Sequence, residues 1–100
     1  MPKPRTELGI KLKEICENVY YQPPASIRLS YPCVIYSLSK IQNTHADDSV
    51  YMQNNAYDIL VIDKNPDSEI VKIISKFPRA KFDRTYISDN LYHTSFSIYF

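Results

Sequence analysis

Glycine is almost missing from this chain, with Gly9 the single one in 100 residues. Phosphate loops of the Walker or dinucleotide kind need backbone positions open to close ligand approach, so both are excluded. Tryptophan is absent, and histidine occurs only at His45 and His93, with no Cys or His at ligand spacing, so no zinc site is expected. Neither sign of charge dominates. Twelve basic residues stand against eleven acidic ones, a formal net charge of +1, interleaved and without a basic tail, so the balance points to neither nucleic acid nor a membrane surface. No apolar run approaches the roughly 20 residues of a membrane span, and the polar start MPKPRTE lacks the apolar stretch of a signal peptide. A soluble protein made in a cytosol is expected. Cys16 and Cys33, the only cysteines, read as two reduced, buried thiols rather than a disulfide.

The clearest positive signal is the stretch Tyr57 to Phe82, where an apolar strand runs into a punctuated helix and out into another strand. Ile59, Leu60, Val61 and Ile62 are apolar on both faces, as in the middle of a sheet. Asn65 is suited to cap a helix with Pro66 in its first position, and Asp67 and Glu69 suit the positive end of its dipole. Ile70, Val71, Ile73, Ile74 and Phe77 make one apolar stripe, with Lys72, Ser75 and Lys76 opposite, and Pro78 stops the helix. Upstream, Leu8, Leu12, Ile15, Cys16 and Val19 predict an amphipathic helix over residues 5–17. Val19 to Tyr21 can form a short strand, and Ile27 to Leu29 can be extended, around the interrupting Pro23-Pro24.

Cys33 to Ile41 alternates as a strand with one buried face. The polar stretch 43–50, NTHADDSV, predicts a loop joining it to a second long strand, Tyr51 to Asp63. After the second helix, Ala80, Phe82, Arg84 and Tyr86 are expected on one strand face, with Lys81, Asp83 and Thr85 on the other. Ser88-Asp89-Asn90 supplies a turn, and Tyr92 to Phe100 alternates as the last strand. The order α-β-β-β-α-β-β implies a single α+β domain over residues 1–100: a two-layer sandwich with a mainly antiparallel four- to five-stranded sheet and both helices on one face. The other face would carry Ile35, Ile41 and either Ile59 and Val61 or Leu60 and Ile62. That much bare apolar surface implies self-association.

No catalytic, cofactor-binding or metal-ligating set emerges, and no enzyme is expected. Asp47-Asp48 would need further oxygens to hold a divalent cation. Asp67, Glu69 and Lys72 resemble the acids and lysine of a metal-dependent nuclease only superficially, because all three fall in the first turn of one helix, where capping accounts for them.

The segments YPCVIYSLSKIQNTHADDSVY, YDILVIDKNPDSEIVKIISKF and FDRTYISDNLYHTSFSIYF together resemble the tail terminator (tail completion) proteins of long-tailed bacteriophages and prophages. The likeness runs over residues 8–100. It includes the order of elements, the tyrosine-proline lead-in to the second strand, the VIDKNPDSEI junction and the DNLYH turn. The resemblance implies a virion structural protein, made in the bacterial host cytoplasm, that forms a homo-oligomeric ring, commonly of six subunits, at the head-proximal end of the tail. Such a ring caps the tail tube protein, ends polymerisation and offers a docking surface to head–tail connector proteins, with DNA passing through its lumen and no membrane involved. It implies no cofactor. The positions expected at subunit or docking contacts are Asp47, Asp48, Arg79, Lys81, Arg84, Asp89 and His93. A head–tail joining protein and a small protein-binding adaptor domain are the alternatives.

Overall fold

The computed structural model describes residues 5–24, 26–46 and 49–99, with side chains described outside 42–54. Helix α1 (Arg5–Ile15) leads into β1 (Val19–Tyr21), β2 (Cys33–Ala46) and β3 (Ser49–Asp63); α2 (Glu69–Ile74), β4 (Ala80–Ser88) and β5 (Leu91–Tyr99) follow. The five strands form one mixed sheet in the order β1-β2-β3-β5-β4. Only the β1–β2 pair is parallel. The α+β class and the element order match the sequence reading. The stretch around Ile27 does not form a strand.

Alternation and register decide which side chains are buried. Val34 and Tyr36 of β2, Tyr57, Ile59 and Val61 of β3, and Phe96 and Ile98 of β5 share one face and one buried cluster. Leu8, Leu12 and Cys16 join that cluster from the N-terminal segment, and Ile70 and Ile74 join it from α2. Their spacing, i, i+4, i+8 in one case and i, i+4 in the other, is a helical stripe meeting a sheet of period two. Ile73, expected on the same stripe, is exposed. A ring cluster sits at one end of this core, where Tyr21 and Tyr36 lie 4.9 Å apart and the Arg5 guanidinium caps the Tyr21 ring at 4.2 Å.

The second helix starts later than expected. Asn65 N–H donates to Asp63 Oδ1 at 3.0 Å and Asp67 N–H to Asn65 Oδ1 at 2.9 Å, so two successive side-chain-closed turns occupy the residues expected to open the helix. Asn65 caps a turn, and the helix N-cap is Ser68, in extended conformation and without a side-chain cap bond. Downstream, the helix gives way after Ser75, whose N–H donates to the Val71 carbonyl at 2.9 Å.

The opposite face takes the second of the two expected sets: Leu60 and Ile62 lie there with Ile35, while Ile59 and Val61 belong to the core. Ile62 is buried, and Ile35 and Leu60 are half-buried. A register irregularity between Leu38 and Lys40 moves Ile41 off that face, since it pairs with Asn55, an odd number of residues from Leu60 and two from Tyr57 on the core face. Around Leu60 the row across the sheet reads Tyr20, Ile35, Leu60, Ser95, Arg84. Its neighbour on one side reads Ser37, Asp58, Ser97, Lys81 and on the other Cys33, Ile62, His93, Tyr86, so the face is polar at one end and partly apolar at the other.

Candidate interaction surface

Strand β4 is the outermost strand beyond β5, and every residue from Lys81 to Ser88 is exposed. Its outer row of backbone N–H and C=O groups has no partner strand among the described residues, which is the property that makes a sheet edge a template for another strand. Phe82 and Ile87 are 61% and 65% exposed. The Phe82 ring meets Phe96 edge-on at 6.0 Å, so it lies at the border of the core rather than within it.

Asp83 has no register partner, because Phe82 pairs with Phe96 and Arg84 with Ser95. This bulge reverses the alternation, and the face assignment made from the sequence fails at that residue. Ala80, Phe82, Thr85 and Ile87 lie on the core side; Lys81, Arg84 and Tyr86 lie on the opposite side. Asp83 itself accepts a hydrogen bond from Ser95 Oγ at 3.3 Å and lies 3.9 Å from Arg84 Nε.

On the opposite face the bulge lines up Arg84, Tyr86 and His93. The Tyr86 and His93 rings are stacked, with centroids 4.8 Å apart and planes 12° apart, and the Arg84 guanidinium stands 5.7 Å from the Tyr86 centroid. His93 Nδ1 is held 3.1 Å from the Leu91 carbonyl. Beside this ladder an open depression of about 260 Å³ has Ile35 and Leu60 among its lining residues, with Asp58, Arg84 and Ser95.

The expected contact residues divide accordingly. Lys81, Arg84 and His93 share the opposite face near the β4 edge. Arg79 precedes β4 in left-handed conformation, φ 65°, with its guanidinium 5.3 Å from the Tyr99 ring. Asp89, φ 52°, and Asn90, φ 62°, form the tight two-residue turn between Ser88 and Leu91, and Asp89 stands apart from the ladder. Asp47 and Asp48 lie outside the described residues. Tyr86, Phe82 and Ile87 were not singled out from the sequence. The Asp89-Asn90 turn held the signal, because counting back from a two-residue turn sets Ile87 opposite Tyr92 and Tyr86 opposite His93.

A second feature is the ribbon. The polar stretch 43–50 is expected as a loop, but β2 and β3 continue as paired strands up to Ala46 and Ser49. β1 pairs with β2 no further than Tyr36, and β5 pairs with β3 no further than Ala56. From Ile41↔Asn55 to Ala46↔Ser49 the two strands therefore pair, among the described residues, only with each other. The molecule is elongated, with principal extents of 52 × 29 × 23 Å.

Away from these surfaces, Cys16 and Cys33 are free and buried. Burial pushes the Cys33 thiol up to about 11, with a smaller contribution from Cys16. Burial also raises Cys16, partly offset by a backbone hydrogen bond at Asn18. Both are protonated at neutral pH and sit as small apolar groups. Among the described residues no three His, Cys, Asp or Glu side chains cluster as metal ligands would, and no helix is long and apolar enough to cross a membrane. No family model matches the chain, and no curated protein matches it.

Proposed function

We propose that this protein is a ring-forming structural component of a phage or prophage virion, a tail terminator that caps the head-proximal end of the tail tube, ends its polymerisation and presents a surface to the head connector. The observation that carries the reading is the coexistence, on one chain, of a strand edge open along β4 and a β2–β3 ribbon that pairs with no other strand among the described residues. A closed ring uses such heterologous pairs, one surface of each subunit meeting a different surface of the next. The tail-terminator likeness of the sequence gives that ring its place, with DNA passing through the lumen.

Light scattering of the purified chain, with negative-stain images of tail tubes mixed with it, tests the reading. A multimer that decorates one end of each tube and stops its growth is the expected result. A protein that leaves tube length and tube ends unchanged refutes it.

A further inference from the structure

We infer that β4 is the acceptor edge for the β2–β3 ribbon of a second copy of this chain, so that each copy donates one ribbon and receives another. The inference rests on the ring reading and deepens it by naming the two surfaces that meet.

Backbone chemistry sets the class of occupant. An open edge offers alternating N–H and C=O groups, and an extended strand satisfies them in register. The ribbon is such an element, and in isolation it needs a partner: a two-stranded hairpin is marginally stable at best in water. Its pairs Ile41↔Asn55 to Ala46↔Ser49 extend about 20 Å at roughly 3.4 Å per residue, within the length of the nine-residue β4.

Among the described residues the chain cannot satisfy itself. β5 lies between β3 and β4 in the sheet, and its described pairing with β3 ends at Ala56↔Tyr99, beside the ribbon. The occupant of β4 is therefore intermolecular. A second copy is favoured over an unrelated strand because the ribbon segment, residues 42–54 in sequence, carries two aspartates and no lysine or arginine, whereas β4 with its two flanking residues carries a net positive charge, Arg79, Lys81 and Arg84 against Asp83 and Asp89. Exposed Phe82 and Ile87 on the core side of β4 give the incoming ribbon apolar surface to cover. The contact is heterologous, so it propagates from copy to copy and ends in a ring where its rotation closes.

Two variants test it, each checked for a folded sheet by circular dichroism and thermal unfolding. In the first, Phe82→Lys with Ile87→Lys places charge on the edge while leaving the ribbon. In the second, residues 42–54 are replaced by Asn-Gly, so that a tight turn joins Ile41 to Asn55 and β4 stays intact. The wild-type chain is expected to be multimeric and each variant alone monomeric. An equimolar mixture is expected to give a two-chain complex and nothing larger, because one ribbon and one edge remain usable. Amide exchange along β4 should slow at least tenfold in that complex.

A wild-type chain that stays monomeric at millimolar concentration overturns the inference, as does a ribbon-shortened chain that still self-associates through paired β4 edges, or a mixture that forms no complex. Tube capping, measured on the same samples, separates the two claims. Capping by both variants refutes the edge–ribbon contact and leaves the tail-terminator reading standing. A wild-type multimer with the mixing behaviour above that ignores tubes refutes that reading and leaves the contact standing.

Discussion

A Cβ built on Gly9 would stand 2.7 Å from the hydroxyl oxygen of Tyr36 and 3.6 Å from its Cζ. The single glycine of the chain lies in α1, where glycine disfavours the helix by about 1 kcal/mol relative to alanine, so its place is explained by the tyrosine that passes close beneath it. Tyr36 is buried among core rings and cannot swing aside freely.

Gly9→Ala is therefore expected to destabilise, by about 1–3 kcal/mol as overpacking does, in spite of the better helix former. In a Tyr36→Phe background the short contact is gone, and the same substitution should become neutral or stabilising by up to about 1 kcal/mol. Urea unfolding of the four chains of this cycle gives the coupling directly. Equal effects of Gly9→Ala in both backgrounds would show that the hydroxyl is not what excludes the methyl.

The entry to α2 separates two polar residues that look alike in sequence. Asn65 Oδ1 accepts the Asp67 N–H, so Asn65→Ala should cost about 0.5–1.5 kcal/mol. Ser68, at the N-cap, has a buried Oγ with no hydrogen-bond partner in the protein, so Ser68→Ala should change stability by less than about 0.5 kcal/mol, or raise it. The reverse ranking in thermal unfolding would restore Asn65 as the helix cap.

Cys33 gives the fold an alkaline limit. Its thiol titrates near 9.0 when unfolded and at about 11 when folded, so the folded state holds its proton longer. The stabilisation is complete below pH 9 and is lost as pH rises through 11. Between those values the urea midpoint of the wild-type chain should fall faster than that of Cys33→Ala, whose alanine cannot ionise. Parallel curves would remove Cys33 from the explanation. Native protein at pH 8 should react with a thiol reagent far more slowly than unfolded protein does, because both cysteines are buried and protonated.

Phe82 and Phe96 touch, yet they should respond differently to truncation. Phe96 is 1% exposed at the centre of the core, and Phe96→Ala should cost about 3–5 kcal/mol. Phe82, on the open edge, should cost less than about 1 kcal/mol in the monomer, a loss measured by the same denaturant series. A large monomer penalty at Phe82 would mean that the edge strand is part of the core.

How much of this was legible in the sequence depends on parity. α1, β1 and β5 follow from unbroken periodicity, and Leu8, Leu12, Phe96 and Ile98 fall in the core where alternation places them. β4 and the distal part of β2 do not, since one extra residue at Asp83, and an irregularity between Leu38 and Lys40, exchange the two faces without any compositional mark. The start of α2 was ambiguous for another reason. Asn-Pro-Asp serves a helix N-terminus and a side-chain-closed turn equally well, and the carboxylate of Asp63 decided for the turn. The ribbon was hidden because the polar run NTHADDSV reads as a loop, whereas β2 and β3 stay paired up to Ala46 and Ser49.

The position of β5 has a consequence for how the chain reaches its fold. It comes last of the strands in sequence but lies inside the sheet, between β3 and β4, and it is the only strand that β4 pairs with. The hairpin of β2 and β3 is local and can form early, whereas β3 keeps a bare edge beside Tyr57, Ile59 and Val61 until Leu91 to Tyr99 arrive. A nascent chain paused before that segment exposes an unpaired apolar strand, so the vulnerable interval for aggregation is the one just before β5 closes the sheet.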